Sequence, residues 1–180
     1  ASVVLKYAAN SGAVRDLKHV YRYPVCIGAD FAPAGTGWNV DQGVFLACES
    51  VPDPLPLDRA KAVLEDLVVD FPFATPADRA NFFGLMLTIV LRPCIAEPVP
   101  FHLVGAPVPG SGKSKVLEVL LGCGLLGRPL PATQIGVKEE EREKRITAAM
   151  LAGDSVINLD NLKGFLDSAA LASLLTASAV

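Results

Sequence analysis

Charge, histidine and closely spaced cysteine are all scarce in this chain. Only 19% of its 180 residues are charged, with a formal net charge of −3, so no global basic footprint for nucleic acid exists and only a local patch could serve. Hydrophobic residues reach 51%, which excludes an intrinsically disordered chain, because disorder needs few apolar residues and high net charge. The two histidines, His19 and His102, and the four cysteines at 26, 48, 94 and 123 form no CxxC or Cys/His spacing. A zinc site is therefore not expected, and reduced, buried thiols in a cytoplasmic protein are. Long apolar runs are missing as well. The longest, Phe82 to Leu91, covers about half of the ~20 residues that a membrane-spanning helix needs. The start, ASVVLKYAANSG, has no basic region leading into an apolar stretch, so no secretory signal and no membrane partner are expected.

What is present falls into three stretches. Residues 1–54 read as a β-rich part, with short apolar or alternating runs at Val3–Tyr7, His19–Ile27 and Val44–Cys48. Gly28, Gly35, Gly37 and Gly43 between the last two supply turn chemistry. Prolines at 52, 54 and 56 mark a linker. Residues 55–98 read as a helical segment. Ala60, Val63, Leu64, Leu67, Val68 and Phe71 follow the spacing of one buried helix face. Thr75, Pro76 and Asp78 make the start of a second helix. That helix is apolar nearly all round, predicting burial between layers, and Arg92-Pro93 ends it.

From Val99 the pattern alternates: a strand at Val99–Val104, a Gly-rich loop, a helix at Lys113–Leu121, a helix at Lys138–Leu151, a strand at Ser155–Leu159 and a last helix from Asp167-Ser168. Strands alternating with helices predict an α/β fold with a parallel sheet. The loop reads Gly105-Ala-Pro-Val-Pro109-Gly110-Ser111-Gly112-Lys113-Ser114-Lys115. Its glycines would let successive N–H groups face a phosphate. Lys113 would reach the β- and γ-phosphates, and the Ser114 hydroxyl would hold Mg²⁺. Pro109 to Lys115 are thus the expected ATP-binding residues. Pro107 stands where the standard phosphate loop has its first glycine.

Val156-Ile-Asn-Leu-Asp160 offers the carboxylate that such a loop needs beside Mg²⁺, as a Walker B aspartate to the Walker A loop. Asn161 follows it, and an amide cannot take up a proton, so either another carboxylate acts as general base or hydrolysis is slow. Asp154 and Asp167 are the candidates. Arg145, in a helix with acids at its start and bases later, reads first as part of a solvated face and second as a cation reaching phosphate. Lys18-His-Val-Tyr-Arg-Tyr23 interleaves bases with aromatics. An ordinary amphipathic strand is its first reading and a base-stacking strand its second. Trp38 reads as a packing anchor.

Taken together, APVPGSGKS, GRP at 127–129, EEEREKRITAAMLAG, VINLDN and LDSAALASLLTA resemble the P-loop ATPase region of phage- and prophage-encoded primase/helicase-like proteins. LDNLKG is also similar to the Walker B end of some superfamily III helicases, within the AAA+ group. The resemblance spans roughly residues 57–178. It implies a P-loop NTPase core over 99–180, a DNA-dependent ATPase motor of a mobile element, a homo-oligomer in the full-length protein, and roles for Lys113, Ser114 and Asp160 in ATP and Mg²⁺ handling. Such sheets have more parallel strands than this stretch offers, so the core is expected to be truncated. A nucleotide-binding module without turnover and a P-loop kinase for a small molecule are the alternatives.

Overall fold

A computed structural model describes residues 17–106, 110–134, 139–162 and 167–176. The expected strand Val3–Tyr7 lies outside them. The β-rich part holds β1 (His19–Tyr21), β2 (Cys26–Ile27), β3 (Ala32–Pro33), β4 (Gly37–Asn39) and β5 (Val44–Leu46). β4 and β5 form an antiparallel hairpin, and β1 lies parallel on the other side of β5. The hairpin closes where the Gly43 N–H donates to the Val40 carbonyl at 3.1 Å, with Gly43 at φ 65. That left-handed backbone is cheapest for glycine. Val44 and Leu46 point into the core while Phe45 between them is exposed, the alternation of a sheet packed on one face. β2 and β3 make a separate two-stranded hairpin.

Helix α1 (Leu57–Leu67) follows the prolines. Its expected buried face is not buried: no residue of α1 is, and Leu57, Val63, Leu64 and Leu67 are exposed. The chain enters the core only at Val68, just beyond the helix. Glu65 of α1 pairs instead with Arg79 of α2. α2 (Pro76–Leu91) starts as its residues dictate: the Asp78 N–H donates to the Thr75 hydroxyl oxygen at 3.2 Å, and that hydroxyl donates to the Asp78 carboxylate at 2.7 Å. Such a cap satisfies orphan N–H groups at the helix start. α2 covers the core from one side rather than lying between layers, with Phe82 and Ile89 buried and Leu87 exposed. A 3-10 turn at Arg92–Cys94 ends it around Pro93.

Beyond this point the sheet is smaller than expected. Val99–Val104 pairs with no strand among the described residues. Phe101 and Leu103 of this segment are 39% and 77% exposed, whereas a central parallel strand is covered on both faces. The parallel sheet of the described residues consists of β6 (Ala132–Gln134) and β7 (Asn158–Asp160), in register from Ala132↔Asn158 to Gln134↔Asp160. The strand expected at Ser155–Leu159 thus forms closer to Asp160. α3 starts as an α-helical turn at Lys113–Lys115 and continues as a π-helix over Val116–Leu126. Within it, Gly122 lets the following chain pack closely: a Cβ there would lie 2.7 Å from the Leu130 backbone nitrogen. α4 (Glu139–Leu151) and α5 (Ala169–Thr176) are the last helices of the described residues.

The molecule is mixed α/β, and a single core joins its stretches. Tyr21, Val25, Val44 and Leu46 from the β-rich part meet Val68, Phe82 and Ile89 from the helical segment and Val116, Leu121, Leu126 and Leu130 from the last part. None of the four cysteines is bonded to another. Cys26, Cys48 and Cys94 are half-buried rather than buried, and Cys123 is exposed. Desolvation pushes the Cys26 and Cys94 thiols up. Among the described residues, no helix is long and apolar enough to cross a membrane.

Candidate functional site

The glycines of the phosphate-loop sequence take the backbone that their identity permits. Gly110 and Gly112 sit at φ 81 and φ 91, in the left-handed region that a side chain resists. Gly112 is the residue from which α3 departs, and the Val116 N–H closes back onto its carbonyl at 3.1 Å. Lys113 therefore leaves the loop at the first helical position. Ser111 is half-buried, and Ser114 and Lys115 are exposed. Pro107 and Pro109 lie outside the described residues.

Lys113 and Asp160 come together although they are far apart in the sequence. The Lys113 ammonium nitrogen lies 3.8 Å from Asp160 Oδ1, with the side chains 35% and 40% exposed. β7 delivers the carboxylate at its last residue. A cleft of about 1420 Å³ opens beside the pair, between β1, residues 99–106 and β7. His102 borders it and carries a buried Nε2 without a hydrogen-bond partner among the described residues.

Other residues singled out in the sequence group less closely. The Arg145 guanidinium donates to the carbonyl of Gln134, the residue in register with Asp160 on the neighbouring strand. Arg145 is thus tied to the same end of the sheet, one strand removed from the carboxylate. Asn161 has φ 57, and asparagine is among the few residues that enter this region readily. Its place after Asp160 has a conformational reason, the left-handed backbone of that position. Asp154 is engaged by Arg128 at 3.0 Å. Arg142 donates to the Asp167 carbonyl at 2.6 Å.

The sequence pattern missed one polar cluster, because its members come from two distant helices. The Glu139 carboxylate accepts from the Ser168 hydroxyl at 2.9 Å and the Ala170 N–H at 3.0 Å, which ties α4 to the start of α5. The Ala170 N–H bond, then that of Ser168, holds the Glu139 carboxyl below its usual range. An acidic residue beginning one helix and a serine preceding another are the only sequence signals of this contact.

Chemically, the site pairs an ammonium with a carboxylate beside a loop with two left-handed glycines, and the exposed Ser114 hydroxyl follows Lys113 without lining the cleft. Hydroxyl and carboxylate oxygens are the ligand type that Mg²⁺ prefers, so Ser114 and Asp160 suit that ion by donor chemistry. No group of three or more His, Cys, Asp or Glu side chains among the described residues could hold a metal by itself. A metal here would take further ligands from a phosphate or from water. Comparisons with protein-family models, with curated proteins and with solved structures gave no match.

Proposed function

We propose that this chain binds Mg-ATP at the loop ending in Lys113 and Ser114 and hydrolyses it. The observation that carries the reading is the 3.8 Å approach of Lys113 Nζ to Asp160 Oδ1. A phosphate-binding lysine and a metal-positioning carboxylate must share one small volume, because they act on opposite sides of the same phosphate group. In this reading Lys113 donates to phosphate oxygens, loop N–H groups support them, and Ser114 and Asp160 supply the oxygen ligands. Mg²⁺ would neutralise phosphate charge. Coupling to DNA, a helicase- or primase-associated role in a mobile element and assembly into a homo-oligomer rest on the family resemblance.

A second reading is binding with little turnover. It is supported by Asn161, which offers no carboxylate after Asp160, and by the Arg128 pairing of Asp154. Titration calorimetry with ATP, with and without Mg²⁺, tests both, together with a phosphate-release assay. Lys113→Ala is expected to weaken binding about 10- to 100-fold, the size of a lost hydrogen bond to a charged group. Its thermal unfolding should stay unchanged, because Lys113 is partly exposed. Unchanged affinity in Lys113→Ala would overturn the assignment. Binding without phosphate release would select the second reading.

A further inference from the structure

Helix α1 turns its apolar side to solvent. With about 3.6 residues per turn, Leu57, Ala60, Val63, Leu64 and Leu67 share one face. Leu57, Val63, Leu64 and Leu67 are between 37% and 68% exposed. The apolar stripe of a surface helix ordinarily faces the core of its own chain. A contiguous row of this kind left in water marks an interaction surface.

The charges beside that face are ordered. Arg59 and Asp66, about two turns apart, flank it on one side, and Lys61 and Glu65 flank it on the other. Each flank therefore starts basic and ends acidic. All four residues are exposed. Arg59, Lys61 and Asp66 form no salt bridge among the described residues, whereas Glu65 is paired with Arg79 of α2. An identical helix running the opposite way, related by a two-fold axis, sets each flank against the same flank of the other copy. Arg59 then meets the other copy's Asp66, and Lys61 approaches the other copy's Glu65. Val63 and Leu64 stack near the axis, and Ala60 lies across from Leu67. A parallel pair would instead set Arg59 against Lys61 and Asp66 against Glu65, bases on bases and acids on acids.

We infer that α1 is a docking face for a second copy of this chain, paired antiparallel through Leu57, Val63, Leu64 and Leu67 and oriented by the Arg59–Asp66 contacts. A partner for this face must carry charges that run the opposite way along it, and the chain's own α1, reversed, does. Apolar side chains supply the attraction and the flanking charges select the direction, as at the e and g positions of a coiled coil. The contact is smaller than a standard protein–protein interface, so the dimer is weak and concentration-dependent. It closes on two chains. It is carried by the charge order of α1 rather than by the family resemblance, and it stands if the chain binds no nucleotide.

Sedimentation equilibrium of the full chain over a concentration series, without nucleotide, is expected to show monomer and dimer in exchange. Leu64→Glu should weaken the dimer about tenfold or more, because a buried apolar side chain is replaced by an unpaired charge. The decisive variants reverse the flanking charges. Arg59→Glu and Asp66→Arg should each weaken dimerisation about threefold to tenfold, most at low salt, by setting like charges across the contact. The double variant R59E/D66R should regain the natural affinity. An equimolar mixture of the two single variants should regain it too, as a heterodimer. Circular dichroism melts check that each variant folds. A chain still monomeric at roughly 1 mM, or one that dimerises equally well as Leu64→Glu, would overturn the inference. Failure of the double variant to recover would do the same, because the copies would then not meet antiparallel at α1. Binding of anionic lipid vesicles by a monomeric chain, lost in Leu64→Glu, would also overturn it, since the face would then meet a membrane.

Discussion

The β-rich part and the region around Lys113 differ in how they hold their key residues. In the first, short strands close through tight turns, and Val25, Val44 and Leu46 are almost wholly buried. In the second, Lys113 and Asp160 are brought together by a glycine-rich loop and a two-stranded sheet, and both remain partly exposed. The contrast shows stability and candidate chemistry residing in different places. Buried apolar side chains of the β-rich part anchor the common core, while the groups suited to phosphate sit on its rim, where a ligand can reach them.

That contrast can be broken by substitution. The largest effect is expected from Leu46→Ala, which removes a fully buried side chain and should cost about 2–5 kcal/mol. Denaturant unfolding followed by circular dichroism measures it, and a loss under about 1 kcal/mol, well below the usual range for such a truncation, would mean that the β-rich part does not anchor the core. Gly122→Ala comes next. The added methyl would meet the Leu130 nitrogen at 2.7 Å, and overpacking of this kind costs about 1–3 kcal/mol. If the melt does not move, the Leu130 backbone can give way and the contact at Gly122 is not tight.

Alkali sharpens the comparison from another side. Burial, with Tyr23 next to it, pushes the Tyr21 hydroxyl up to about 12 from its ordinary 10.0. Stability from this group is intact below about pH 10, and it declines from there to about pH 12, because the unfolded chain ionises first. Tyr21→Phe is expected to lessen that decline, which melts across the same alkaline range would show. The smallest effect belongs to Asn161→Glu. Placing a glutamate at φ 57 should cost about 1 kcal/mol, as left-handed backbone does for most side chains. Increased phosphate release by this variant would mean that the missing carboxylate limits turnover. Release no faster than in the natural chain would fix the limit elsewhere.

Features set by neighbours in the sequence were legible from the residues alone. Thr75 and Asp78 cap α2, Gly110 and Gly112 let the backbone curl before Lys113, and α4 begins with its glutamates. Features set by distant partners were not. Val99–Val104 has the composition of a strand, but a strand exists only through pairing, and no hydrophobic pattern names the partner. The spacing in α1 marks one apolar face without saying that only its last members, Val68 and Phe71, reach the core. The close approach of Gly122 to the 128–130 backbone is a long-range packing constraint that periodicity cannot register. In the candidate site the residue types were readable one by one. The tie from Arg145 to Gln134 depends on strand register, which only the folded chain supplies.

The parallel pairing of β6 with β7 also sets an order in time. Parallel neighbours cannot be joined by a tight turn, and here the connection runs through the whole of α4. The β4–β5 hairpin closes after a turn of a few residues, with little loop entropy to overcome. Pairings of long sequence separation form slowly, since chain entropy is given up before the pairing energy is recovered. The hairpin carrying Phe45 and Trp38 is therefore expected to form early on the folding route, and the meeting of Lys113 with Asp160 late. Destabilising the sheet that carries Asp160 would then speed unfolding more than it slows folding.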